Sequence, residues 1–421
     1  MNYVDEYGVV FPQVLVPDDV RVRQFNIDGV CFAENFDVRL SSGPSIECKV
    51  LSNPGTIVGH VVTHSPSFAY STFGLHVGQR DRLTFFGPSS RNIVALLIDC
   101  RKNSPTRGRR LAISFACLPS RKLVIPQGVA HTFDGLASVV TRNDLSVYCD
   151  VSNPDWHMVN DNIPFARGAD TVASPPMVQT NEQELGLEAA VVFYQLQAKA
   201  LKGGQHALTV SHPSRANADP RTLPIAGSNA VLPSVNGIVD GFSFDANSFS
   251  AVDVTGSWGV VPSTSSCVFD MVEWSHDAAT ASYWLHSRHY VRHTFVQPEG
   301  LAINLEVADR RRASPTFRSV AKAEFCADPR IAVCIPHGVA YRYSFAGRVL
   351  ARVEYELFLA KEEPRPDLLP IGADRLALSD IELEQFELSP PTQLAPGKLL
   401  RFLARKEYEV MHQRSNTSPK M

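Results

Sequence analysis

Eight cysteines are spread through this 421-residue chain, yet no two of them stand as a CxxC pair. Cys31, Cys48, Cys100, Cys117, Cys149, Cys267, Cys326 and Cys334 lie singly in apolar, strand-like segments. That pattern argues against the common zinc and dithiol motifs and fits buried free thiols in a reducing compartment. Surplus positive charge is missing too. The net charge is −3 and the isoelectric point near 6.5, so a small molecule or another protein is the expected partner, with no nucleic acid and no membrane. No apolar run approaches the ~18 residues of a membrane span, and the opening MNYVDEYGVVFPQV lacks a basic start followed by an apolar stretch of signal-peptide length. The expectation is a soluble, cytoplasmic protein. With 44% hydrophobic residues, the chain can bury a sizeable core in each of two domains.

What is present is largely present twice. LVIPQGVAHTF at 123–133 returns as VCIPHGVAYRY at 333–343, an offset of 210 positions. The same offset aligns STFGLH, ending at His76, with ASYWLH, ending at His286; Asp99 of DCRKNSPT with Asp309 of DRRRASPT; and Arg82 of RLTFF with Arg292 of RHTFV. Four features in register without net insertion point to a tandem duplication.

Each copy is rich in short apolar or alternating runs such as NIVALLIDC, RRLAISFAC and VLARVEYELFL, bounded by Gly, Pro, Ser and Asn, which is the pattern of a β-sandwich or small barrel. Helical spacing is confined mainly to 181–201 and 396–413. The expected organisation is a first β domain over 1–178, a helix and linker over 179–230, a second β domain over 231–395, and a C-terminal helix and polar tail over 396–421.

GLHVGQ, DCRKNSPTRGR, RKLVIPQGVAHTF and RGADTVASPP resemble the run of motifs in dTDP-4-dehydrorhamnose 3,5-epimerases. The likeness covers most of 20–178 and, more weakly, 233–380. It implies a mainly β fold of two tandem cupin (jelly-roll) barrels with a few short helices, forming a pseudo-dimer within the chain, and an epimerase or isomerase of a nucleotide-linked 4-keto deoxysugar. Such enzymes need a base, a group that orients it, a donor for the enolate oxygen and an acid. The resemblance assigns the base to His76 and its partner carboxylate to Asp170, with His286 and Asp374 as the second pair. It puts Arg82 and Arg292 near the developing enolate. His131, Glu34, Phe73, Tyr341 and Tyr283 fall at substrate-binding places. No cofactor and no metal are implied, and the assembly is either a homodimer or a pseudo-dimeric monomer.

Departures from the family pattern are concentrated at the chemistry. Its tyrosine acid falls near Thr141 or Ala351, and the arginine three residues before the base is Phe73 or Tyr283. The arginine opening its nucleotide motif is Asp28 or Asp240, which removes charge-assisted contacts to a diphosphate, although the acids Glu34 and Asp245 are kept. These losses leave a second reading open, a sugar-binding or assembly protein whose chemistry has decayed. A third has one working barrel and one structural barrel, since His131 is Tyr341 in the second copy. A metal site is not expected. Pro126-x-Gly128-x-x-His131 matches half of a metal-cupin pattern, but the close His-x-His with a following glutamate is lacking, and strand alternation would turn His286 away from His289 and His293.

Overall fold

The structure is a computed structural model that describes residues 1–35, 37–42, 45–50, 58–156, 162–186, 188–192, 230–247, 250–253, 257–262, 268–275, 282–297, 300–360 and 375–406. Strands dominate them, in two compact units. Unit 1 comprises Met1–Asn35, Thr56–Gly227 and Ser248–Pro262; unit 2 comprises Phe36–Gly55, Ser228–Asn247 and Ser263–Met421. Each is a jelly-roll-type sandwich of two largely antiparallel sheets, the architecture expected from the sequence.

In unit 1 one sheet runs, in spatial order, Asn2–Val4, Val10–Val16, Arg110–Ala116, Asn92–Asp99 and Val129–Asp134. The other runs Ser250–Asp253, Ser257–Pro262, Val58–His64, Val140–Val147, Gln79–Phe86, Arg121–Ile125, Cys31–Glu34 and Arg23–Gln24. Leu83, Phe85, Ile93, Leu97, Ile113, Leu123 and Phe133 meet between them as the main core. NIVALLID is apolar on both faces for a reason. Ile93, Ala95 and Leu97 enter that core, whereas Val94, Leu96 and Ile98 pack on the opposite side against Phe11, Phe73 and Phe165. Its counterpart AINLEVAD in unit 2 alternates, with Ile303, Leu305 and Val307 buried and Asn304 exposed, because that sheet has one open face.

The first sheet of unit 2 runs Val235–Asn236, Val320–Cys326, Ala302–Asp309, Val339–Phe345, Tyr283–His286 and Arg375–Leu378. The second runs Ser243–Ala246, Ile331–Ile335, His289–Phe295, Arg348–Leu359, Phe269–Ser275, Ser45–Val50 and Asp37–Ser42. The units are therefore not the contiguous segments expected from the sequence. Hairpin 37–50 pairs with Phe269–Ser275 in unit 2, and Ser257–Pro262 pairs with Val58–His64 in unit 1. A strand's polar and apolar alternation fixes which face it buries but not which edge it joins, so sequence pattern misses such an exchange.

The repeated DxRxxSPT segment is a side-chain clamp. Asp99 is fully buried and accepts from Arg101 Nε and Nη2 at 2.8 Å and from the Ser104 and Thr106 hydroxyls at 2.5 Å. Burial pushes its carboxyl up, but the Arg101, Ser104 and Thr106 bonds outweigh this and hold it below the usual range. Asp309, Arg311, Ser314 and Thr316 repeat the clamp. Asp28 and Asp240 belong to it, since their carbonyl oxygens accept from Arg101 and Arg311.

Helix is described within both segments that the spacing suggests. Within 181–201 the described helical residues are 188–192, and Glu184 forms a β-bridge with Tyr148. Residues 193–201 lie outside the described residues. The C-terminal helix occupies 397–406, with 407–413 likewise outside them.

Candidate active site

The site of unit 1 forms where the chain crosses from one sheet to the other. His76 follows the short strand Thr72–Phe73, and three residues later Gln79–Phe86 begins in the facing sheet. The crossing is tight, and Gly78 is there because a Cβ would meet the Trp156 indole nitrogen at 2.3 Å and the Tyr148 carbonyl oxygen at 2.5 Å. In Gln79–Phe86 the residues Asp81, Leu83 and Phe85 point inward, since side chains alternate along a strand. His131 reaches the same interior from Val129–Asp134, which is tied to the crossing by paired backbone bonds between His131 and Gly74.

Asp81, 2% exposed, is the centre of the site. Its Oδ1 accepts from the side-chain amides of Gln79 at 2.6 Å and Asn143 at 2.7 Å. Its Oδ2 lies 3.7 Å from Nε2 of His131. The His76 and His131 rings are 5.7 Å apart, and one ligand-type atom from each of His76, Asp81 and His131 falls within 4.8 Å of the others. Burial raises the affinity of the Asp81 carboxyl for a proton, but His76, His131 and the two amides together outweigh it, so the group stays below the usual carboxylate range. Burial pushes His131 down, and the opposing pull of Asp81 does not restore its ordinary value. Nδ1 of His131 lies 3.3 Å from the Val129 carbonyl oxygen, which can only accept, so a proton on Nδ1 would be donated there.

Tyr70 completes the setting. Its ring packs on Phe68 and His64, and burial, with the Asp81 charge second, raises its phenol far above the ordinary value. The phenol therefore keeps its proton.

Several residues implied by the resemblance lie elsewhere. Asp170 is exposed in the first turn of the helix Ala169–Ala173, and the carboxylate gathered with His76 is Asp81 instead. Arg82 alternates to the opposite face from Asp81 and donates to the Ser146 hydroxyl at 2.8 Å. Glu34 forms a surface ion pair with Arg21, and Phe73 is fully buried and stacked on Phe165. In unit 2, Arg292 bonds Asn247, Tyr283 donates to Glu306 on the outer sheet face, and Tyr341 stacks on His286. Asp374 lies outside the described residues.

Unit 2 does not reproduce the cluster. At the offset of 210, Asp81 becomes Val291, Asn143 becomes Val353, Gln79 becomes His289 and His131 becomes Tyr341. The expected alternation of its histidines is also corrected. His286 and His289 belong to strands of different sheets, and His286, His289 and His293 all face an interior lined by Tyr341 and Tyr355.

No family model matches the chain, and no curated protein matches it. Among solved structures it is similar to dTDP-4-dehydrorhamnose 3,5-epimerase from Elizabethkingia anophelis NUHP1, at 14% identity over 37% of this chain and 94% of that one, with a TM-score of 0.25. The corresponding enzyme from Bacillus anthracis, with TDP and pyrophosphate bound, gives 18%, 38%, 93% and 0.27. Oxalate decarboxylase from Lactobacillus farciminis gives 11% identity over 80% of this chain and 83% of that one, with a TM-score of 0.22. At these values the site's chemistry is read from its own residues.

Proposed function

We propose that unit 1 is a proton-transfer site acting beside the ketone of a nucleotide-linked 4-keto deoxysugar, which makes the protein an epimerase or isomerase. The observation that carries this reading is the buried Asp81 carboxylate between the His76 and His131 imidazoles. In this reading His76 removes the proton, Asp81 stabilises the imidazolium that forms, and Tyr70 returns a proton to the opposite face. The carboxylate beside the rings favours the imidazolium once the proton has arrived. Arg82 has no part in it. The substrate class follows from the sequence resemblance, and with it the settings of deoxysugar supply, a cytoplasmic location and a homodimeric or pseudo-dimeric assembly.

Unit 2 is assigned a structural role, supported by Val291 and Val353 where unit 1 has Asp81 and Asn143. The test is solvent exchange. The protein is incubated with a dTDP-4-keto-6-deoxyhexose in heavy water, and deuterium at carbons 3 and 5 is followed by NMR. Uptake that His76→Ala and Asp81→Asn abolish supports the reading; uptake that survives both overturns it.

A further inference from the structure

We propose that His76, Asp81 and His131 also form a binding site for one divalent transition-metal ion, and that the ion inhibits the enzyme by occupying the imidazole that would take the proton. The inhibitory part rests on the proton-transfer reading above; the metal site does not.

The geometry is that of ligands around a common centre. A tetrahedral ion with ligands at ~2.1 Å holds neighbouring ligand atoms roughly 3.4 Å apart. His131 Nε2 and Asp81 Oδ2 are 3.7 Å apart, too long for a hydrogen bond and close to that separation. Nε2 of His131 and Oδ2 of Asp81 are held toward each other across the core at a spacing that a bridging ion would fill.

The supporting contacts are also those of a metal site. A ligating histidine commonly donates its second nitrogen to a backbone carbonyl, and Nδ1 of His131 is placed 3.3 Å from that of Val129. A ligating carboxylate is commonly braced at its other oxygen, as Gln79 and Asn143 brace Oδ1 and leave Oδ2 to face inward. Asp81 and His131 stand on strands of facing sheets, so the separation is set by the core rather than by a loop. Two imidazoles and one carboxylate suit zinc, iron(II), cobalt or nickel better than magnesium or calcium. Unit 2 supplies an internal control, since Val291 and Tyr341 cannot replace Asp81 and His131. One ion per chain is expected.

The experiment titrates the full-length protein, stripped with a chelator, with Co2+ and Zn2+. Binding is followed by calorimetry and by the visible absorption of cobalt. The expected result is one ion per chain, with affinity lowered at least ~100-fold by Asp81→Asn or His131→Ala, about 10-fold or more by Asn143→Ala, and not by His289→Ala. Thermal melts establish that each variant is folded. Absence of stoichiometric binding, or binding that folded Asp81→Asn and His131→Ala both retain, overturns the site. Deuterium exchange on the keto sugar is then measured against Zn2+ concentration. Loss of exchange that tracks zinc occupancy supports inhibition, and exchange unchanged or raised at full occupancy overturns it. If no exchange occurs even with chelator, the proton-transfer reading and the inhibition fall together while the titration still decides the metal site.

Discussion

A side-chain carbon added to Gly128 would lie 2.3 Å from Cγ of Arg101 and 2.5 Å from Cγ2 of Thr180. The two most recognisable repeated motifs thus pack on each other, with the glycine of Ile-Pro-x-Gly-Val-Ala against the arginine of DxRxxSPT. Gly338 and Arg311 repeat the contact at 2.6 Å. Both glycines have positive φ, +76° and +79°, where an L side chain is strained. Gly128→Ala is expected to destabilise unit 1 by at least ~2 kcal/mol, and Gly338→Ala unit 2 by a similar amount, read as lowered urea midpoints.

The two candidate carboxylates make opposite predictions. Asp81→Asn keeps the shape of the side chain but removes the charge between the histidines, and should lower turnover at least ~100-fold. Asp170→Asn, on an exposed helical turn, should leave turnover within about twofold of the parent. Steady-state assays on the keto sugar check both.

Tyr70→Phe separates the two halves of the reaction. With His76 and Asp81 intact, abstraction continues and deuterium still enters the starting sugar. Epimer formation should fall by about 100-fold if the phenol returns the proton. Equal loss of both signals would remove Tyr70 from the role of acid.

Acid should weaken the fold through buried histidine. His64 is 1% exposed, and burial pushes it down to about 4 despite its 2.8 Å contact with the Val139 carbonyl oxygen. In the unfolded chain it titrates near about 6.5. Between those values the unfolded chain takes a proton that the folded chain does not, so stability is complete above pH 6.5 and falls as pH drops toward 4. The loss from this one group is on the order of 3 kcal/mol. His293 in unit 2, held down to about 3, acts in the same direction. Urea midpoints across pH 4 to 7 should fall with acid, with a smaller slope in His64→Phe.

His76 and His131 are legible in the sequence because they sit in repeated phrases. Asp81 is not, since flanking Arg80 and Arg82 make QRDR look like a solvated charge cluster. Two signals could have found it. Alternation from Leu83 and Phe85 turns position 81 inward and Arg82 outward, and the offset comparison puts Val291 opposite an aspartate, the mark of a position buried in both copies. Motif matching carries the sequence neighbours of Asp170 but not its surroundings in space, which are those of an exposed helical turn. Alternation likewise fails across 286–289, where the chain leaves one sheet for the other.

Ser257–Pro262 pairs with Val58–His64, some two hundred residues earlier in the chain. During synthesis the first unit cannot close its sheet until that late strand has left the ribosome, by which time the start of the second unit has already emerged. Val58–His64 must wait with an unpaired edge, a position that invites association with other chains. A gene fragment ending before residue 230 would encode the whole His76, Asp81 and His131 constellation and still yield an incomplete barrel.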